Sequence, residues 1–326
     1  NGFSGIYNLK KFNYLDDLSK NNLQLQIENK IMELVMKYYE FINKKNLFKL
    51  LEETHNISVS RYERILEKSK YGLTSSLELL NAEIDLNTDL VNLSNSRIDY
   101  ENSRSELFFL MGKTDSTLIF DQTILFNDSL EIENLFEKLK QNNSSILIAQ
   151  SNFDIAKQDL KISKSKVSPK IDLSTSFSFN KSGSETSFIS KQTDRGLFGV
   201  ISLQFPIFNG DLIRKNIKNS KINLESKKYQ LEEIVDRLEV SLINTFNLYK
   251  QGLKNLQIQK NNLEIFELNF QKSKELYKLG QLNSLQFREA QLNLLNFKIN
   301  YSANLFNTKI QEYLLYQYSG MLLIDN

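Results

Sequence analysis

The chain has 326 residues, a net charge of +2, 0 cysteines, 0 tryptophans and 1 histidine. The lack of cysteine excludes disulfides, thiol catalysis and Cys/His zinc sites, and the near-neutral charge gives no support for a nucleic-acid partner. His55 lies in a polar helical stretch without a nucleophile motif, so we interpret it as a solvated surface residue and expect no enzyme activity, metal site or cofactor.

The first predicted element is a helical hairpin over residues 1–112. A long helix is expected to end at Gly72, and a return helix of about 35 residues follows a tight turn over 72–76. The return helix carries an apolar row with heptad spacing, formed by Leu77, Ile84, Val91 and Ile98. Next comes an irregular segment over 113–143, in which we expect a short strand and a small helix at 129–140. A further helix is predicted over 144–168.

The pattern changes to a period of two over 169–208, between Pro169 and Pro206, and predicts a β-hairpin. The apolar face consists of Ile171, Leu173, Phe177 and Phe179 in the first strand and Leu197, Ile201, Leu203 and Phe205 in the second. The other face is interpreted as strictly polar, and a polar loop is predicted over 181–195. Strands of about 10–12 residues with this alternation are typical of outer-membrane barrels. Because a lone hairpin leaves unpaired edges, partner strands are required; the alternative is a ribbon that covers a soluble core.

A shift of 208 residues aligns the two ends of the chain without a gap. Gly72 then meets Gly280, Ala82 meets Ala290 and Gly112 meets Gly320, which indicates a duplicated half-molecule. The second copy, over 209–326, predicts a long helix, a turn at Gly280 and a return helix. The heptad row of the long helix slips in phase by four residues after its fourth member, a stutter, and that of the return helix is unbroken. The rows are Ile217, Leu224, Leu231, Leu238, Leu242, Tyr249, Leu256, Leu263, Phe270 and Tyr277 in the long helix, and Leu285, Leu292, Ile299, Phe306 and Tyr313 in the return helix.

Five stretches together resemble the TolC-like outer membrane efflux proteins. The segments VSPKIDLSTSFSFN and VISLQFPIFNG resemble the strand pair of that family. The segments KYGLTSSLELLNAEIDL and LYKLGQLNSLQFREAQLNLLN resemble its two periplasmic hairpin tips, and YLLYQYSGML resembles its C-terminal stretch. No stretch is very specific alone, but the ordered set covers essentially the whole chain.

The resemblance implies a mainly α fold with a β-hairpin, in which long coiled-coil hairpins form a periplasmic tunnel below a trimeric outer-membrane β-barrel. It implies a passive exit duct of a tripartite efflux pump or type I secretion system in a diderm bacterium. The expected partners are two further copies of the chain, outer-membrane lipid, a periplasmic adaptor and, through it, an inner-membrane transporter. It also implies that a first helix and a first strand pair precede residue 1. The alternative is a coiled-coil scaffold of the cell envelope without a pore.

The resemblance also assigns site residues. Tyr277 matches the Tyr-x-x-Gly that ends the second long helix, Gln286 and Glu289 occupy two pore-ring positions, and Glu78 occupies the position of a gating acid. Leu282 stands where the family has an arginine that pairs with such an acid, which puts that salt bridge in doubt. The adaptor-docking tips are Gly72, Leu73, Thr74 and Ser75 in the first hairpin and Gly280, Gln281, Leu282 and Asn283 in the second. The alternatives are solvated surface charges for the two glutamates and plain helix–helix turns for the tips.

Overall fold

The computed structural model describes residues 2–113, 124–183 and 191–323. Its elements in chain order are α1 (Ser4–Lys70), α2 (Ser76–Leu110), α3 (Ile132–Asn142), α4 (Ser144–Ser165), β1 (Lys170–Gly183), β2 (Lys191–Gln204), α5 (Leu212–Lys278) and α6 (Ser284–Tyr318). The predicted mainly α fold with one β-hairpin is confirmed. Both long helices have 67 residues and both return helices have 35, so the two halves repeat the same elements. Within the described ranges, no helix is both long and apolar enough to cross a membrane.

The irregular segment and the loop of the hairpin differ in detail from expectation. Helix α3 begins at Ile132 rather than 129, and α4 ends at Ser165 rather than 168. Residues 124–131 contain no strand, and the other residues that could hold the expected strand, 114–123, lie outside the described part. The loop predicted over 181–195 is too long, because both strands have 14 residues and extend to Gly183 and from Lys191.

The β-hairpin has the predicted apolar face. In its antiparallel register Ile171 lies opposite Leu203, Leu173 opposite Ile201 and Phe177 opposite Leu197, and residues directly opposite one another share a face. These side chains are exposed, Leu173 by 70%. Phe179 lies opposite Arg195, and Phe205 follows the end of β2. The other face is not strictly polar as predicted, because it also carries Phe198 and Val200.

The described residues form two compact units. Unit 1 comprises Asn1–Leu25 and Ser144–Arg237 and contains the β-hairpin, α4 and the neighbouring parts of α1 and α5. Lys11 of α1 forms an ion pair of 2.7 Å with Asp159 of α4. The hydroxyls of Ser163 in α4 and Ser220 in α5 lie 2.8 Å apart. Helix α4 therefore joins the two long helices in this unit.

Unit 2 comprises Gln26–Asn143 and Leu238–Asn326 and holds two apolar clusters. One is formed by Tyr39, Phe41, Ile42, Leu107 and Phe306. The other contains Phe270, Tyr277 and Phe287 near the second turn. The heptad row of α5 supplies buried residues in this unit, including the fully buried Leu242 and Tyr249, as the sequence predicted. The Tyr249 hydroxyl donates to the carbonyl of Asn127 at 2.9 Å and ties the irregular segment to α5.

The predicted apolar row of α2 is present, but it faces away from the rest of the chain. Ile84, Val91 and Ile98 are 61%, 58% and 55% exposed. The buried face of α2 has the same heptad spacing and is formed by Ala82, Asp89, Ser96 and Ser103. Both serine hydroxyls donate to carbonyls of their own helix, at 2.8 and 2.9 Å, so these polar groups are buried with a partner. Leu285, the first residue of the apolar row of α6, is also exposed.

His55 differs from its interpretation as a solvated residue. Its side chain is half-buried on α1, and its Nδ1 is buried without a hydrogen-bond partner. Leu51, Thr54 and Ser58, which are buried on the same helix, explain the difference, because a residue among them lies at the edge of the buried face.

Candidate functional site: the paired helical turns

The turns after α1 and α5 have the same backbone. Gly72 has φ +66° and Gly280 has φ +75°. The amide of Leu73 donates to the carbonyl of Lys68, and that of Gln281 donates to Leu276, both at 2.9 Å. With the amide bonds of the two glycines to residues three positions earlier, this is a Schellman motif, which needs a left-handed residue at the glycine position. Both turns therefore favour glycine because their backbone is left-handed at this position.

Both return helices begin with a side-chain cap. The hydroxyl of Ser75 accepts from the amide of Glu78 at 3.1 Å, and the Asn283 side chain accepts from the amide of Gln286 at 2.8 Å. The side chain of Gln286 accepts in turn from the Asn283 amide at 3.4 Å, which completes a capping box. The Glu78 carboxylate accepts from the Thr74 hydroxyl at 2.5 Å. Two of the four predicted pore residues thus take part in the local structure of the turns.

The structure brings the two turns together. A cleft of about 280 Å³ between them is lined by residues of both turns, including Ser75, Glu78 and Asn283. Gly72, Leu73, Gly280 and Gln281 are exposed, whereas Thr74 and Leu282 are half-buried. Leu282 packs against the cluster of Phe270, Tyr277 and Phe287.

The other two predicted pore residues have different surroundings. Tyr277 is buried, and its ring stacks on Phe287 at a centroid distance of 4.6 Å. Burial raises the pKa of the Tyr277 phenol above its ordinary value, although a hydrogen bond with Ser284 and the nearby Arg64 partly oppose the rise. The phenol is therefore neutral at ordinary pH. Glu289 is exposed on α6, and its place in a pore stays a prediction.

Next to the turns lies a buried network of charges that the sequence analysis missed. Arg288 of α6 makes two hydrogen bonds to Asp89 of α2, at 2.6 and 2.8 Å. The hydroxyl of Ser58 in α1 donates to the same carboxylate at 2.5 Å, and Arg61 of α1 pairs with Asp85 of α2. Arg288 and Asp89 are 6% and 2% exposed. The network links three helices of both hairpins with two positive and two negative charges.

A sequence signal for this network existed. Asp85 follows Ala82 by three residues and Asp89 follows Asp85 by four, so all three lie on one helix face. Arg288 lies between Phe287 and Ala290 at the start of α6. Charged residues at positions that helix periodicity assigns to a buried face indicate pairing, because a buried charge without a partner is very unfavourable.

The comparisons with known proteins agree with this architecture. Residues 135–321, more than half of the chain, match the family model described as outer membrane efflux protein. Outer membrane protein TolC of Escherichia coli K12 is 18% identical over 301 residues, which cover 86% of this chain and 60% of TolC. The chain thus spans about three fifths of the length of this curated relative.

Solved structures show the same fold. A membrane protein from Pseudomonas aeruginosa superposes with a TM-score of 0.82 at 16% identity, over 95% of this chain and 72% of that protein. The outer membrane protein VceC of Vibrio cholerae gives a TM-score of 0.81 at 12% identity, over 98% of this chain and 76% of VceC. The Campylobacter jejuni CmeC outer membrane channel gives 0.76 at 14% identity, over 98% of this chain and 68% of CmeC.

Proposed function

Because this chain belongs to the outer membrane efflux protein family, we propose that it forms the outer-membrane exit duct of a tripartite efflux pump or type I secretion system. The relatives are outer-membrane efflux channels and not enzymes. In this proposal the protein is a passive homotrimer in the outer membrane of a diderm bacterium, with its helices in the periplasm. It contacts lipid through its strands, and a periplasmic adaptor connects it to an inner-membrane transporter.

The β-hairpin is the observation that carries the proposal. Its apolar face runs from Ile171 to Phe177 in β1 and from Leu197 to Leu203 in β2, interrupted by the pair of Thr175 and Gly199, and it is exposed. Within the described residues the sheet has two strands, so each strand has one edge of unpaired amides and carbonyls. Exposed apolar alternation together with open edges fits a barrel completed by other strands, because a barrel in lipid must pair every backbone group. A scaffold without a membrane contact has no use for such a surface.

The exposed row of α2 supports assembly from several copies. Leu77, Ile84, Val91 and Ile98 form a heptad row on the single chain, and an apolar row of this spacing is the seam of a coiled coil. Four such large side chains facing water would be unfavourable. We propose that helices of a second copy cover this row in the helical tunnel.

We further propose that the tips dock the adaptor. The first tip is Gly72, Leu73, Thr74 and Ser75, and the second is Gly280, Gln281, Leu282 and Asn283. Three features support this docking role: the exposure of all the tip residues except Thr74 and Leu282, the proximity of the two tips across one cleft, and the rigid backbone that the Schellman turns and caps impose.

The pore assignment rests on Glu289, which is exposed near the second tip. Threefold symmetry would place three copies around one axis, where a ring of carboxylates attracts cations. Hexaamminecobalt(III) is therefore expected to block single-channel conductance, and Glu289→Gln is expected to weaken the block. Glu275→Gln, which neutralises an exposed acid on α5, is the matched control. Equal block in wild type and Glu289→Gln would show that Glu289 is a solvated surface charge.

The channel proposal itself is tested with the full-length protein. Light scattering in detergent is expected to give the mass of three chains, and planar lipid bilayers are expected to acquire discrete conductance steps when the protein is added. A stable monomer in detergent, or a trimer that never conducts, would contradict the duct and favour the scaffold.

A further inference from the structure

A second cleft in unit 2 lies behind the second turn and has a different chemical character from the cleft between the tips. It lies between α1 and the end of α5, has a volume of about 290 Å³ and is bounded at one end by Phe287 of α6. Its position is separate from the exposed tip residues. This volume is near the lower end of the range for small-molecule sites.

The rim of this cleft is strongly basic. Arg61, Arg64, Lys274 and Lys278 line it, and no acidic residue does. Among the described residues, no carboxylate lies within 4.0 Å, the ion-pair distance, of Arg64, Lys274 or Lys278. Arg64 is held in place by a hydrogen bond of 2.8 Å to the carbonyl of Lys278 and by its position over the Tyr277 ring, 4.9 Å from the centroid. Three positive charges are thus available to one anionic group.

Arg61 provides the second, independent observation. It is 3% exposed, so its guanidinium has lost almost all contact with water. One nitrogen pairs with Asp85, and another lies 3.5 Å from the carbonyl of Ser284, but Nε is buried without a hydrogen-bond partner. An unsatisfied buried donor is costly. Arg61 lines both this cleft and the cleft between the turns, and an acceptor atom bound next to Nε would satisfy it.

The floor of the cleft is apolar. Tyr277 and Phe287 stack with an interplanar angle of 3°, and Ile57 packs beside them. Arg64 lies over the Tyr277 ring, so this aromatic pair gives the floor apolar character without an open ring face. An apolar floor below a cationic rim matches a ligand with an apolar body and one charged end, because the cations favour a carboxylate or sulfonate.

We propose that this cleft is a binding site for a small organic anion, a carboxylate or sulfonate carried on an apolar body. The bound anion bridges α1 and α5 beside the buried network of Arg61, Asp85, Asp89 and Arg288. The site goes beyond the proposed duct, because it assigns a ligand to the periplasmic end of the helices and does not depend on the adaptor.

The test uses the full-length protein in lipid nanodiscs, which avoid the partitioning of an apolar probe into detergent micelles. Isothermal titration calorimetry compares 2-naphthoate with its neutral analogue 2-naphthamide. The expected result is saturable binding of 2-naphthoate at one site per chain, with the amide weaker by about tenfold or more, because the amide lacks the charge-assisted hydrogen bonds.

Two lysines of α5 give a matched pair of variants. Lys274→Gln removes a charge that lines the cleft and is expected to weaken 2-naphthoate binding by about fivefold to tenfold. Lys272→Gln removes the same charge from an exposed position on the same helix that does not line the cleft, and it is expected to leave the affinity unchanged. The proposal is overturned if 2-naphthoate shows no saturable binding, if the amide binds equally well, or if both variants weaken binding to the same extent.

Discussion

The return helices α2 and α6 have the same length, the same kind of turn before them and equivalent apolar rows, yet one row is exposed and the other is increasingly buried. At the same offset of 208 residues, Ile84 corresponds to Leu292, Val91 to Ile299 and Ile98 to Phe306. Ile98 is 55% exposed and Phe306 is 4% exposed. The two halves of the duplication have the same backbone elements, but the burial of each apolar row depends on which surface lies opposite its return helix. Towards its end the row of α6 is covered by other helices of the same chain. The row of α2 requires a second copy of the chain to cover it.

The largest effect is expected from charges in the exposed row. The double variant Ile84→Asp with Val91→Asp introduces two carboxylates at a seam that is proposed to be covered by a second copy, and desolvating unpaired charges there is very unfavourable. We expect loss of the trimer while the single chain keeps its helix content, measured by light scattering and circular dichroism.

The control is Asn92→Asp, at an exposed polar position about 100° around the same helix from Val91. It adds a carboxylate to α2 outside the apolar row and is expected to leave the trimer intact. A trimer that survives the charged row would contradict the assignment of this face to a contact between copies.

The buried face of α2 is tested through Arg288, whose removal leaves Asp89 without its main partner. Breaking a buried pair in this way typically costs about 3–5 kcal/mol. Arg288→Met is therefore expected to lower the melting temperature strongly, whereas Arg97→Met, at a pair with Glu101 that is exposed on both sides, is expected to have little effect.

A rescue variant identifies the cause of this loss. Arg288→Met with Asp89→Leu removes both charges, and replacing a whole buried pair by apolar residues is often neutral. The double variant is expected to recover most of the melting temperature. If it melts as low as Arg288→Met alone, then lost packing rather than the unpaired carboxylate explains the effect.

The two turns are expected to respond equally to the same change, because they share one backbone. An added Cβ would meet no heavy atom within 4 Å at Gly72 or Gly280, so the cost comes from φ alone, roughly 1–2 kcal/mol per site for leucine. Gly72→Leu with Gly280→Leu is expected to abolish transport and leave the trimer assembled.

Asparagine has nearly the same size as leucine but tolerates the left-handed conformation, so Gly72→Asn with Gly280→Asn is the matched control. It is expected to retain most transport activity in a substrate-efflux assay. Unchanged transport in the leucine variant would argue for turns that dock no partner.

Much of this fold could be predicted because heptad spacing, rare glycines and strand alternation are strong local signals. The long helix of the second copy ends at Lys278, two residues before the predicted turn at Gly280, and the apolar face of the hairpin agrees with the register. The orientation of α2 could not be predicted, because an apolar row marks a seam without saying whether the partner lies in the same chain. Its buried face of small and polar residues gives almost no hydrophobic signal.

The buried network and the basic cleft were missed for a related reason. Arg61, Asp89 and Arg288 are far apart in sequence and become neighbours only when three helices pack together. Local periodicity can assign each residue to a face, but it cannot identify which charge on another helix lies opposite. The resemblance assigned Glu78, Gln286 and Glu289 by position, and their roles in a pore remain predictions.

The most direct test of the assembly uses the absence of cysteine from the sequence, because one introduced cysteine then reports one position. Val91→Cys and its exposed neighbour Asn92→Cys are labelled with a water-soluble maleimide in the assembled full-length protein and again after unfolding. If a second copy covers the α2 row, Val91→Cys labels far more slowly than Asn92→Cys in the assembly and equally fast after unfolding. Equal labelling rates in the assembled protein would show that the row stays open to solvent and would contradict the account.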